Sequence, residues 1–153
     1  MTKYLEDFRV GDVWQSGSIT ISEEDMIAYA KANDPQPIHV DPEAAKNGPF
    51  GSIIASGWQI AALSMRLFVE AGGHVDSPIV GIGIDELRWK QVVRPGDTLR
   101  TTREIVEVRR SASKPDRGVI RTQVTVLNQR NETVMTYYAL GQVRARSPAP
   151  DAS

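Results

Sequence analysis

The sequence predicts an α+β fold, with an antiparallel sheet curled around one apolar helix. The longest helical pattern begins at Ser56 and Gly57 and carries Ile60, Ala61, Leu63, Ser64, Leu67 and Phe68, many of them small or apolar. A helix this apolar in a soluble chain is expected to be wrapped by other elements. The second half changes character. Residues 80–93, 97–110, 117–128 and 132–144 are rich in Val, Ile, Thr, Tyr and Trp, with Gly, Pro, Asp or Asn in the breaks. That composition predicts long strands. One early strand, one apolar helix and then several strands make an α+β pattern.

Taken in order, residues 13–21 alternate as a strand would, most clearly at Ser18-Ile19-Thr20-Ile21. Ser22 is expected to cap a helix whose first turn carries Glu23, Glu24 and Asp25. Met26, Ile27, Tyr29 and Ala30 form its apolar face, and Asn33 is expected to end it in a left-handed conformation. Asp41 and Pro42 restart a short helix as cap and first helical residue. A glycine-punctuated loop follows over 47–51, and Gly72 and Gly73 stop the long helix. Arg94-Pro95-Gly96-Asp97 and Asn128-Gln129-Arg130-Asn131 read as turns between consecutive strands, which predicts an antiparallel meander. Residues 1–146 are expected to form a single domain, and 147–153 a polar, proline-containing, disordered tail.

With 153 residues, one domain is the expectation. A net charge of −1 gives bulk electrostatics no pull toward nucleic acid or a membrane surface, although a local patch can still meet an anionic substrate. The chain has no cysteine, which excludes disulfides, thiolate metal sites and cysteine nucleophiles. Its first residues lack the apolar run of a signal peptide. Residues 53–69 contain Gln59 and Arg66 and are too short and too polar to span a bilayer. A cytoplasmic, reducing location is the default expectation.

The densest chemistry lies in Asn33-Asp34-Pro35-Gln36-Pro37-Ile38-His39-Val40-Asp41. Each proline fixes its own φ and pushes the residue before it, Asp34 or Gln36, out of helical space. An extended, low-entropy loop results, able to aim a carboxylate and an imidazole before any ligand arrives. An acid/base pair acting through one water needs such an arrangement. Plainer readings exist: an Asp before Pro is ordinarily a turn residue, and a lone His a surface residue. His39-Val40-Asp41 offers too few ligands for a metal, and Asp41 already suits a cap. His74 reads as a loop residue. Arg109, Arg110 and Lys114 read as a solvated face, or as a local cluster able to meet the phosphates of an anionic substrate.

The segment Asp34-Pro35-Gln36-Pro37-Ile38-His39 resembles the hydratase motif of the MaoC-like dehydratases and (R)-specific enoyl-CoA hydratases, in which Asp, any residue, Asn, Pro, an aliphatic residue and His follow one another. Val40-Asp41-Pro42-Glu43-Ala44, Ile54-Ala55-Ser56-Gly57-Trp58, Asp85-Glu86-Leu87-Arg88-Trp89 and Val93-Arg94-Pro95-Gly96-Asp97-Thr98-Leu99 extend the resemblance over about residues 8–144. Two departures stand out. Gln36 replaces the motif's Asn with another neutral amide, and Ser56 stands where many hydratases have His. Ser64 is the nearest candidate for the serine that some hydratases carry on the helix.

The resemblance implies a hot-dog fold, usually a homodimer, with the acyl chain in a tunnel beside the central helix. It implies water addition to a trans-2-enoyl thioester of coenzyme A or a carrier protein, with no metal or organic cofactor. Asp34 would activate water, with His39 sharing that water and relaying the proton, or the reverse. The Gly57 amide, at the positive end of the helix, is the expected oxyanion donor. A glycine there lets a thioester approach the backbone, or is simply tolerated beside a cap. Ser56 and Trp58 flank it as substrate contacts, and Trp58 also reads as a core or interface aromatic. The competing functions are acyl-CoA thioester hydrolysis, and a non-catalytic acyl-binding or partner subunit on the same fold.

Overall fold

Five strands, β1 (Val13–Thr20), β2 (Ile79–Trp89), β3 (Thr98–Arg110), β4 (Arg117–Leu127) and β5 (Thr133–Arg144), form one sheet in the order β1-β3-β4-β5-β2. Every neighbouring pair is antiparallel. Among the described residues, a short 3-10 turn (Leu5–Asp7) and four α-helices precede β2: α1 (Glu23–Asn33), α2 (Pro37–Val40), α3 (Pro42–Lys46) and α4 (Gly57–Glu70). The computed structural model describes residues 1–73, 77 and 79–147. The expected loop residue His74 and the tail from 148 onward lie outside the described residues.

The sheet follows from alternation. Along β4 every second residue from Gly118 to Val126 is buried, and along β3 the inward row is Leu99, Thr101, Arg103 and Ile105. Val124, Val126, Met135 and Tyr137 meet Ile21, Met26 and Ile60 in the main core. A second cluster around Leu5, Phe8, Ile105, Ile120 and Val143 closes the other end. Burial of each such side chain contributes about 1.5–3 kcal/mol. The helix α4 packs against β1 and β3 through Ile60, Ser64, Leu67 and Phe68, with Phe68 edge-on to Trp14. This is the hot-dog arrangement of sheet and central helix.

Four expectations differ from the structure, each for a local reason. Strands β3, β4 and β5 do form a meander, but β2 pairs with β5 on the far edge and not with β3. After Trp89 the chain leaves the sheet: Lys90 N–H donates to the Val134 carbonyl and Val93 C=O accepts from Ala55 N–H. The turn at Arg94-Pro95-Gly96-Asp97, with Gly96 at φ +88°, then launches β3 beside β1. Secondly, Asn33 is right-handed and remains helical, its side chain donating to the Tyr29 carbonyl. Helix α1 ends because Pro35 holds Asp34 at φ −154°, ψ 70°.

Thirdly, the prolyl loop is extended only from Asp34 to Gln36. Pro37 opens a single helical turn that carries His39, because proline is pre-shaped for the first helical position. Lastly, α4 is covered on one flank. Trp58, Met65 and Val69, spaced along one stripe, are exposed, with Trp58 at 58%. The sheet's curl stops at β2, whose Val80, Ile82, Ile84 and Trp89 are also exposed. A groove therefore runs between α4 and β2. No described helix is long and apolar enough to cross a membrane.

Gly118 marks the tightest point of the sheet. A Cβ there would run into the Arg109 carbonyl oxygen and the Leu5 side chain. We expect Gly118→Ala to lose about 1–3 kcal/mol of stability in urea denaturation. Gly17→Ala, where nothing lies within 4 Å of the added Cβ, should change it by less than about 0.5 kcal/mol.

Candidate active site

Three segments far apart in sequence meet at the N-terminus of α4. Asp34 caps α1, its N–H donating to the Ala30 carbonyl at 2.8 Å. His39 sits one turn into α2, 5% exposed. Ser56 precedes α4 and is fully buried. The backbone holds them: Ile54 N–H donates to Ile38 C=O at 3.2 Å, and Ala55 N–H to Val93 C=O at 2.9 Å. The stretch before α4 is thereby pinned between α2 and the crossing segment.

The Asp34 carboxylate has three neighbours. Gln36 Nε2 donates to Oδ1 at 2.8 Å, Ser56 Oγ donates to Oδ2 at 2.7 Å, and His39 Nε2 lies 3.3 Å from Oδ2. The Gln36 and Ser56 donors hold its pKa below the usual carboxylate value, with the imidazole adding a smaller pull, so it is ionised at neutral pH. His39 Nδ1 lies 2.7 Å from the Ile54 carbonyl oxygen. A carbonyl only accepts, so Nδ1 carries a proton and Nε2 is the nitrogen that exchanges one.

His39 opens onto a cavity of about 270 Å³ whose wall also includes Ala55, Gly57, Ile60, Trp89 and Val93. Asp34 is not part of that wall; its carboxylate lies beside Nε2, its side chain 18% exposed. At the helix start, Ser56 C=O accepts from Gln59 and Ile60 N–H. The amides of Gly57 and Trp58 precede those bonds and have no intrahelical acceptor. The site therefore combines an ionised carboxylate, an imidazole with one exchanging nitrogen, and helix-end amides at an apolar cavity.

The structure brings Asp34, His39, Ser56 and Gly57 together. It also gives several of them neighbours that the sequence did not announce. The Ser56 hydroxyl is turned to Asp34, and the Gln36 amide reaches the same carboxylate. The space that a Cβ at Gly57 would need is filled by the Trp89 indole. Close approach of that ring explains this glycine. Trp58 is no core residue; it stands exposed, edge-on to Trp89 with ring centroids 5.3 Å apart. Ser64 lies two turns along α4, buried and bonded to Ala61 C=O and Tyr137 Oη. Asp41 caps Ala44 N–H. Arg110 is tied to Glu6 and to the Pro115 and Ser147 carbonyls, while Arg109 pairs with Glu107 at 3.8 Å.

Comparison with known proteins gives the class. The MaoC-like domain model matches residues 9–128, and the chain belongs to that family of dehydratases. The solved MaoC-like dehydratase of Rhodospirillum rubrum is 38% identical, with a TM-score of 0.85 over 95% of this chain and 99% of that one. The 3-hydroxyacyl-thioester dehydratase Z of Mycobacterium tuberculosis is 34% identical over 74% of this chain and 77% of its own length. The (R)-hydratase of A. caviae, at 22% identity and a TM-score of 0.72 over 90% of this chain and 98% of that one, shares the fold.

The lowered Asp34 pKa has a consequence for stability. A carboxyl whose folded pKa is depressed stabilises the fold above its unfolded pKa, and loses that contribution as pH falls through the folded value. Ser56→Ala removes one of the two main donors and should cost about 1.5–3 kcal/mol at neutral pH. In urea denaturation against pH, the gap to wild type should narrow as pH drops below about 4.

Proposed function

We propose that this protein adds water reversibly across the double bond of a trans-2-enoyl thioester, giving a 3-hydroxyacyl thioester. The single observation that carries the reading is convergence: Asp34 and His39 face each other at 3.3 Å, and His39 shares a cavity with Gly57. Family membership supplies the class of reaction, a lyase acting on acyl thioesters.

Water held by the pair loses a proton to it as the oxygen attacks the β-carbon. The α-carbon then takes a proton back from the pair, so atoms and charge balance. His39 Nε2, the ring nitrogen not held by the Ile54 carbonyl, is the exchanging atom. Asp34, ionised and fixed by Gln36 and Ser56, stabilises an imidazolium and orients the water. The thioester oxygen becomes enolate-like during attack and is met by the Gly57 amide at the helix end, a donor typically contributing about 2.7–4 kcal/mol to lowering a barrier.

A second copy of the chain is the partner in this reading. The exposed stripe of α4 and the exposed apolar residues of the edge strand β2 adjoin, since Met65 and Ile84 line one cavity and Trp58 meets Trp89 edge-on. A patch of this kind marks an interaction surface. An isologous pair, helix stripe and strand edge on each side, would cover both at once.

Loss of the enoyl thioester absorbance follows the reaction directly. Asp34→Asn and His39→Ala should each lower kcat by about a hundred- to ten-thousandfold with the fold intact by circular dichroism. Release of free thiol in place of hydration would establish a thioesterase, and absence of any turnover across chain lengths a binding subunit. Sedimentation velocity should give a dimer for wild type. The double variant Val69→Glu, Val80→Glu should sediment as a monomer; a wild-type monomer would end the two-copy reading.

A further inference from the structure

Arg103 is a cation in the core with no anion paired to it among the described residues. It occupies the inward row of β3 between Thr101 and Ile105, 3% exposed. Among the described residues its hydrogen-bonding partner is Tyr137 Oη, 3.2 Å from Nη2, and its Nε has none. Tyr137 cannot neutralise it: Tyr137 Oη donates to Ser64 Oγ, which in turn donates to the Ala61 carbonyl. The guanidinium lies over the Phe68 ring, 3.9 Å from its centroid, which offsets part of the burial cost. Burial opposes the charge, yet a guanidinium does not release its proton in a protein. A buried, unpaired charge is costly.

Its place in the groove supplies the reason. Three cavities are lined by residues of α4, β2 and β3. The first, of about 270 Å³, holds His39, Gly57, Ile60 and Trp89. The second, also about 270 Å³, runs past Met65, Ile84, Gly83 and Gly81 and reaches Arg103. The third, about 90 Å³, has Arg103, Phe68, Trp14 and Thr122 in its wall, with Lys3 at its rim. Arg103, Ile79, Ile120 and Thr122 line both the second and the third, so these two meet at the guanidinium. Phe68 lies eleven residues beyond Gly57 on α4, roughly 16 Å along the helix axis at 1.5 Å per residue. The helix-end amides thus stand at one end of α4 and a fixed cation toward the other, with the exposed apolar residues Met65, Val69 and Ile84 between them.

We propose that Arg103 is an anion subsite, receiving a carboxylate carried at the far end of an acyl chain whose thioester lies at Gly57. The proposal rests on the hydratase reading for the thioester end, and names the substrate class of that site: enoyl thioesters with a terminal carboxylate and a chain long enough to span the groove. A short diacid bound at the helix start would not reach it. The unused Nε–H and the Nη groups provide a fork that suits a carboxylate.

Calorimetry on two saturated acyl-CoA thioesters of matched length, one ending in a methyl and one in a carboxylate, tests the subsite without turnover. Wild type should bind the carboxylate-ended thioester at least about tenfold more tightly, the effect of a charge-assisted hydrogen bond. Arg103→Met should abolish or reverse that preference, and Arg103→Lys should keep part of it. The matched enoyl pair should show the same preference in kcat/KM. Equal binding of the two thioesters by wild type overturns the proposal and needs no variant. So does an Arg103→Met protein that weakens both thioesters alike and keeps their ratio. Failure of the hydratase reading is a separate result: the preference would persist in binding while neither enoyl thioester is hydrated.

Discussion

The hydrogen bond from Ser56 Oγ to Asp34 Oδ2, 2.7 Å long, ties the end of α1 to the start of α4. It joins residues twenty-two positions apart and is fully buried at its serine end. Around it the other constraints fall into place. Pro35 turns the chain so that Asp34 faces α4, Pro37 starts the turn that lifts His39 toward the carboxylate, and Ile54 takes the other side of the imidazole. Remove the tie, and the carboxylate keeps only Gln36 and His39, both within five residues of it in the chain. The pairing of Asp34 with His39 is thus a property of how two helices are joined, more than of the loop that carries it.

Much of the fold was legible because periodicity and turn chemistry are local. Alternation placed β3, β4 and β5, and Ser22 and Asp41 announced their caps through side chains that bond within three residues. Partner choice among strands was not legible. Nothing in the residues 90–97 says that they leave the sheet, since what draws them away is the bond to Val93 from Ala55, thirty-eight positions back in the chain. The end of α1 misled for a related reason: asparagine is a common left-handed terminator, but a proline two residues on leaves the helix no choice.

The site divides along the same line. Asp34, His39 and Gly57 stand out as candidates because their neighbours in sequence, the prolines and the helix start, are informative. Gln36, Ser56 and Trp89 could not be assigned their contacts, because each acts across space on a residue it does not announce. Arg103 escaped notice altogether. In a strand of alternating residues an inward arginine looks like any surface arginine one position out of register, and only burial distinguishes them.

His39 draws its fixed proton placement from Ile54 through a main-chain oxygen. Many buried imidazoles lean on a carboxylate for this, and a single codon change can delete that support. Here the acceptor belongs to the peptide bond. Whatever residue drifts into position 54, the oxygen stays, so the ring's working tautomer is inherited with the path of the chain and is shielded from ordinary mutation.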